Sequence, residues 1–248
     1  MDTSHVTNMR ATFAYDSSLT NLDELKNWDT SNVTNMQTTF LKNLSLTNLD
    51  GLKNWNTSNV TTLYWTFYGN TSLTNIDGLK NWDISSVTEM LATFSNNIGM
   101  TNLNALESWN TSKVINMSFT FHHCNHLEDT SGIKDWDVSN VETMSHMFNI
   151  SDDIGEYNYS KLANLDISKW NMPKVKEYDW FIDSLRYVES EFTIRNSNIE
   201  KYEGMFNNTA DLSGRVVVNY TSETESMVDQ LIATAPYNAN VIKGRLVE

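Results

Sequence analysis

The chain has little of several things that usually define a protein's chemistry. Its 248 residues include one cysteine, Cys124, so no disulfide forms within the chain. Prolines number two and glycines nine, so turns must come from elsewhere. Asparagine, which tolerates left-handed backbone, is the available substitute. Basic residues are scarce: 17 Lys and Arg stand against 31 Asp and Glu, a net charge of −14. That balance argues against nucleic acid or an anionic membrane as partner. No run of about 18 apolar residues exists to span a bilayer. The start, Met1-Asp2-Thr3-Ser4-His5-Val6, has neither the positive segment nor the apolar segment of an export signal. Aromatic residues are not lacking, at 11% of the chain, which excludes general disorder.

What the chain does have is a period. Trp28, Trp55, Trp82, Trp109 and Trp136 are spaced 27 residues apart, and Trp170 follows after 34. Five residues beyond each comes Val33, Val60, Val87, Val114, Val141 or Val175. Met36, Leu63, Met90, Met117, Met144 and Tyr178 come next, then Phe40, Phe67, Phe94, Phe121, Phe148 and Ile182. Val6, Met9 and Phe13 repeat the tail of the pattern without its front half. On this reading the sequence is a section of a longer protein whose export signal and anchor lie outside it.

Ahead of each Trp the apolar residues recur every three, as in Leu46, Leu49, Leu52 and Trp55. One copy is tighter, Leu162-x-x-Leu165-x-Ile167, the strand signature of a leucine-rich repeat. The others carry one more residue, which predicts a bulged or loosened strand. After the Trp, Asp29-Thr30-Ser31 and its counterparts offer side-chain oxygens to a helix start. The following i, i+3, i+7 apolar spacing predicts a short helix. Pro173 fits a first helical turn. Each unit thus reads as strand, turn, short helix and loop. One unit alone buries too few apolar side chains to offset the ordering of its backbone, so the units must stack. The expected fold class is α/β: a leucine-rich-repeat-like solenoid of stacked strand–turn–short-helix coils with a parallel sheet and a C-terminal α/β cap.

Residues 1–206 are expected to form the solenoid, degenerate after about 183 and interrupted by a loop insertion at 149–161. Residues 207–248 are expected to form a capping strand–helix–strand. Phe192-Thr193-Ile194 and Val216–Tyr220 read as strands. Ser222-Glu223-Thr224-Glu225 reads as a capping box before a helix with Met227, Val228, Leu231 and Ile232. Pro236 ends that helix, and Asn240-Val241-Ile242 offers a last strand.

The stretch Ser72-Leu-Thr-Asn-Leu-Asp-Gly-Leu-Lys-Asn-Trp-Asp-Ile-Ser-Ser-Val-Thr-Glu-Met90 resembles the BspA-like leucine-rich repeats. The resemblance is clear over about residues 3–182 and weaker over 183–215. The 27-residue spacing departs from that family's commoner 26. The resemblance implies a bacterial cell-surface or extracellular protein, often a lipoprotein or a wall-anchored adhesin, with no shared catalytic residues. It also implies a small buried side chain at Cys124.

Two groups of residues are candidates for a binding surface. Asp23, Asp50, Asp77, Asn104, Ser131 and Asp166 follow the second leucine of each unit. Strand alternation would place them in one exposed column. That column is a solvated polar face, a surface for a basic partner, or a calcium site. Tyr64, Trp65 and Tyr68 cluster around the core Phe67, and Phe119 and Trp180 share the Trp65 column. These aromatics either fill space between units or bind a protein or a glycan. His122-His123-Cys124-Asn125-His126 has metal-ligand residue types but no second ligand pair elsewhere. There is no Gly-rich phosphate loop, nucleophile elbow or His–Glu zinc helix. The sequence therefore predicts a non-catalytic protein with no cofactor and no metal. It would be an adhesin-type module that binds a host or neighbouring-cell surface protein, with a ligand-free spacer and a glycan-binding module as alternatives. Neither nucleic acid nor direct membrane insertion is expected.

Overall fold

In a computed structural model that describes residues 1–150, 160–235 and 240–248, the chain winds into a solenoid of parallel coils. One rung runs through every coil: Asn8, Asn35, Thr62, Glu89, Asn116, Thr143, Glu177 and Lys201 pair in parallel, each with the next. At its later end the solenoid becomes a four-stranded parallel sheet in the order β1 (Asn164–Leu165), β2 (Glu189–Ile194), β3 (Arg215–Tyr220) and β4 (Val241–Leu246). Helix α1 (Glu225–Ile232) connects β3 to β4 and buries Val228 and Leu231.

The 27-residue period becomes columns of like residues through the interior. Trp28, Trp55, Trp82, Trp109 and Trp136 stack with ring centroids 6.3–6.5 Å apart and planes within 9° of parallel. Phe13, Phe40, Phe67, Phe94, Phe121 and Phe148 form a second stack at 5.4–5.8 Å. These are the offset-stacked arrangements that aromatic quadrupoles favour. The indole N–H groups are satisfied across coils. Trp55 Nε1 donates to the Leu25 carbonyl at 3.0 Å, and Trp82, Trp109, Trp136 and Trp170 repeat the bond one coil further each time. Polar columns line the same interior. Thr39, Thr93 and Thr120 each donate to a carbonyl of their own coil and to one of the coil before. Buried Asn43 and Asn70 accept the amides of Asp16 and Asn43.

Within this fold, three local elements differ from their sequence patterns. The loosened copies of the leucine segment are not strands. Each closes into a short 3₁₀ turn, Asp23–Leu25, Asp50–Leu52, Asp77–Leu79, Asn104–Leu106 and Ser131–Ile133, the last four after a single bridge, Asn48 with Asn75 or Asn102 with Asp129. The turn absorbs the additional residue. In the tight copy, Leu162-x-x-Leu165-x-Ile167, the segment is the true strand β1. Glycine serves this turn by letting the backbones touch. A Cβ on Gly78 would lie 1.8 Å from the Leu49 carbonyl oxygen.

The segment expected to be a short helix is a ladder of turns. Leu63, Trp65, Phe67 and Gly69 donate their amides to Glu89, Leu91, Thr93 and Ser95 of the next coil. Within the coil, Thr66 N–H returns to Leu63 O and Tyr68 N–H to Trp65 O. Trp65 sits at φ +54° and Gly69 at +74°. A left-handed residue every fourth position stops a helix. A helix of two turns is marginal alone, whereas each rung amide finds a carbonyl on the next coil. The apolar spacing i, i+3, i+7 fits both geometries, so it does not separate them.

The Asp/Asn-x-Ser turns do form, without a helix after them. Ser31 N–H and hydroxyl both donate to Asp29, and Asp16, Asp83 and Asp137 hold Ser18, Ser85 and Ser139 through the backbone amide. Hydrogen bonds from these serines hold the four carboxyls below the usual carboxylate range. The capping box before α1 is also replaced. Thr224 is the residue before the helix, and its buried hydroxyl donates to Ile194 O on β2. The insertion at 149–161 falls mostly outside the described residues; Asn149, Ile150 and Ser160 at its edges are buried.

Candidate interaction surface

The two candidate groups lie on different sides of the coil, because the 3₁₀ turns and the turn ladder are separate segments of each repeat. Asp23, Asp50, Asp77, Asn104 and Ser131 are exposed, as expected, but each is the first residue of a 3₁₀ turn and not part of a strand face. Asp166 belongs elsewhere. It accepts the amide and hydroxyl of Ser168 in a turn after β1 and is half-buried. Along the 3₁₀ side Lys26, Lys53 and Lys80 follow three residues after Asp23, Asp50 and Asp77, and Lys134 three after Ser131. The side therefore carries mixed charge exposed to solvent, which salt screens. Among the described residues no group of three or more His, Cys, Asp or Glu is placed to hold a metal ion.

The turn ladder presents a different surface. In four successive coils its residues 64–70, 91–97, 118–125 and 145–150 contain no Asp, Glu, Lys or Arg, in a chain that is 19% charged. Tyr64, Trp65, Tyr68, Leu91, Asn96, Phe119, His122, His123 and His146 are all half-buried. Its rings pack on one another. Trp65 stacks on Tyr64 at 5.5 Å and on Tyr68 at 4.8 Å. Phe119 stacks on His146 at 4.3 Å, and His146 lies 6.4 Å from Trp180. Trp180 in turn rests on Gly204, where a Cβ would meet its ring at 2.6 Å. The rings form two groups on this side, Tyr64–Trp65–Tyr68 and Phe119–His122–His123–His146–Trp180, with the ring-free Leu91 and Ala92 of the coil between them. The sequence pattern marked the two ends as a binding surface but not the histidines between them, whose signal was the absence of charge across four consecutive copies.

These aromatics occupy a costly backbone position. Ala11, Thr38, Trp65, Ala92, Phe119, His146 and Trp180 all lie at φ between +51° and +58°. A bulky side chain in left-handed backbone carries strain of order 1 kcal/mol or more. The neighbouring left-handed column is mixed, with Gly69, Asn96 and Asn208 beside Tyr15, Lys42, His123 and Ser184. Ala11 and Ala92 show that the coil needs no ring in the first column. Trp65 Nε1 is in addition buried without a hydrogen-bond partner, a further cost of about 1–3 kcal/mol.

The His122–Cys124 run has two fates. Cys124 is fully buried in the column of Asn43, Asn70 and Asn97; its thiol donates to Phe94 O at 3.3 Å, and burial pushes its pKa up to about 12. His122 and His123 stack on each other at 3.8 Å in the strip. Burial, then the neighbouring His123 and His146, pulls the His122 pKa down to about 3. His122 is therefore neutral at physiological pH, and Ser95 Oγ lies 3.3 Å from its Nδ1.

Compared with known families, the chain matches the model described as Mycoplasma protein of unknown function, DUF285, over residues 1–102, 63–191 and 94–220. No curated protein and no solved structure matches it.

Proposed function

The chain belongs to that family, whose description assigns no activity, and we propose that it is a non-catalytic interaction module that binds a protein partner through the turn-ladder side of the solenoid. The observation that carries this reading is the strip from Tyr64 to His146 that contains no charged residue, with Trp180 beyond it in a coil that carries Asp179. Depletion of charge with enrichment of Tyr, Trp and Phe is what distinguishes the centre of protein interfaces from other surface. Large rings held in place by stacking lose little entropy on binding. The rings are not needed to close the coil, since Ala11 and Ala92 hold the same left-handed position, and residues kept at such a cost cluster at functional sites.

In this reading the chain is related to BspA-like leucine-rich-repeat proteins and works at a bacterial cell surface. It would act as an adhesin toward a host or neighbouring-cell surface protein. The repeated Leu, Trp-Asp-x-Ser-x-Val and Met positions support the kinship, and the net charge of −14 suits a partner other than nucleic acid or anionic lipid. A glycan is the weaker occupant, because stacking on Tyr64 and Tyr68 occupies ring face of Trp65 that a sugar would use.

The test is saturable binding of the protein to extracellular-matrix proteins and whole cells, compared with Trp65→Gly and Phe119→Ala. The expected result is binding to a protease-sensitive target, weakened at least tenfold by either substitution while the circular dichroism stays unchanged. Binding that survives both substitutions removes the strip from the interface. Binding abolished by glycosidase treatment of the target replaces the protein partner by a glycan. No saturable binding to any target leaves a spacer.

A further inference from the structure

We propose that the groove where the chain enters β1, β2 and β3 is a second binding site, and that its ligand is a neutral oligosaccharide. In the regular coils threonine fills this column. Thr20, Thr47, Thr74 and Thr101 hold the place in turn, and the Thr47 and Thr74 hydroxyls each donate to the threonine carbonyl one coil before. Glu128 comes next, with its amide on Thr101 O. From there the column departs from the repeat. Glu128, Lys161, Tyr187 and Glu189 line a cavity of about 810 Å³ together with the small residues Ala163 and Gly214. Gly214 sits at φ +93°, and a Cβ on it would lie 2.3 Å from Val188 O, so no side chain fills the space there. The volume falls in the range of ligand sites, about 300–1,000 Å³. The long side chains around it are exposed, so the cavity is an open groove. A second depression, lined by Asn164, Asp166 and Glu191, shares Glu189 and carries the groove on along the sheet. An open, extended site suits a chain of rings better than one enclosed small molecule.

Three observations select the ligand. The Tyr187 ring is 39% exposed, and among the described residues no other ring stacks on it. Trp65, by contrast, has Tyr64 and Tyr68 against its ring. A free aromatic face packs against the C–H face of a pyranose. The polar groups around Tyr187 then match hydroxyls: the Glu128 and Glu189 carboxylates accept, Lys161 donates, and Ser160 and Ser213 do either. Finally, the charges balance. Lys161 Nζ lies 3.4 Å from Glu128 Oε1, and Arg215 is the β3 residue in register with Glu189. A uronic acid or a phosphate would meet two carboxylates, and a polyamine would meet two cations. A neutral polyol finds donors and acceptors with no charge of its own to desolvate. The groove shares no residue with the aromatic strip, so this inference stands apart from the protein-binding reading.

The experiment titrates the protein by calorimetry with tetrasaccharides of glucose, galactose and N-acetylglucosamine, and with tetragalacturonate and spermine as charged probes. At least one neutral tetrasaccharide binds saturably, and the charged probes bind more weakly. Tyr187→Ala weakens that binding at least tenfold with unchanged circular dichroism, since the ring is exposed, while Tyr187→Phe keeps it. Glu189→Gln weakens it several-fold. Trp65→Gly binds the sugar as the parent does, which separates this site from the strip whatever becomes of the protein partner. Four results overturn the proposal: no saturable binding of any neutral tetrasaccharide, binding that Tyr187→Ala leaves intact, equal loss in Trp65→Gly, or tighter binding of tetragalacturonate or spermine.

Discussion

Trp82 and Trp65 are the same residue type 17 positions apart, and the solenoid uses them in opposite ways. Trp82 is 2% exposed, stacked between Trp55 and Trp109, with its indole N–H bonded to Leu52 O. Each of its interactions recurs in the next coil. Trp65 is half-buried in left-handed backbone, with its indole N–H unpartnered. In the coils on either side Thr38 and Ala92 hold its position. The first kind of aromatic is explained by the repeat; the second departs from it, and a departure that costs energy is the better guide to function.

The most direct way to break this comparison is to remove each ring in turn. Trp82→Ala deletes two stacking contacts and leaves a cavity in the spine, at an expected cost of about 3–5 kcal/mol. Urea denaturation followed by circular dichroism measures it. Trp65→Gly relieves left-handed strain and removes the unpartnered N–H, against the loss of contacts to Tyr64 and Tyr68. Its expected effect on stability is within about 1 kcal/mol, while partner binding falls as described above. A loss from Trp65→Gly comparable to that from Trp82→Ala would make the strip part of the core and end the distinction.

Much of the interior could be read from the sequence, because a column needs only a period. The Trp and Phe stacks follow from spacing, and so do the parallel coils. The strands of the capping region were legible from their Val-rich runs, such as Val216-Val217-Val218. What the spacing did not determine was backbone geometry. Val60, Leu63 and Phe67 satisfy a helix and a turn ladder equally well, and the deciding interaction, an amide of one coil on a carbonyl of the next, lies 26 residues away. The acidic column was placed on a strand for the same reason: the 3₁₀ turn at Asp50–Leu52 packs Gly51 against the Leu22 carbonyl of another coil. Half of the strip was legible, since Trp65 broke register. His122 and His123 stood out in the sequence only as metal-ligand types, and His146 not at all, because their place beside Phe119 and Trp180 is set only when the coils are stacked.

Cys124 sharpens the comparison with a smaller effect. Its neighbours in sequence, His122 and His123, are half-buried in the strip, whereas the thiol is buried in the asparagine column with its pKa pushed up to about 12. Only the thiolate reacts at an appreciable rate. Labelling of the native protein by a disulfide reagent at pH 8 is expected to proceed at the rate of unfolding, with full reactivity in 6 M guanidinium. Fast labelling under native conditions would place Cys124 on the surface with the histidines.

The smallest expected effect lies at the rim of the strip, where Glu89 marks the boundary between charged and uncharged surface. Its Oε1 accepts the Leu91 amide at 2.8 Å, its Oε2 accepts from Asn116 Nδ2 at 3.3 Å, and burial raises its pKa above the usual carboxylate value. A raised folded-state pKa means that the native protein holds this proton more tightly than the unfolded chain. The resulting stabilisation is fully present below the ordinary glutamate value and is lost as pH rises through the folded-state value. Glu89→Gln cannot titrate, so the stability of the parent relative to this variant should rise as pH is lowered from 7 toward 4. The Asp16, Asp29, Asp83 and Asp137 turns act in the opposite direction, since their depressed pKa values give stability that acid removes, but they are common to both proteins and cancel in the difference. The expected change is about 0.5 kcal/mol or less, read from paired urea titrations at each pH. A difference that falls with decreasing pH would show that hydrogen bonding outweighs burial at Glu89. The carboxylate would then be a comfortable surface charge, and the uncharged strip would begin one column further from the rung.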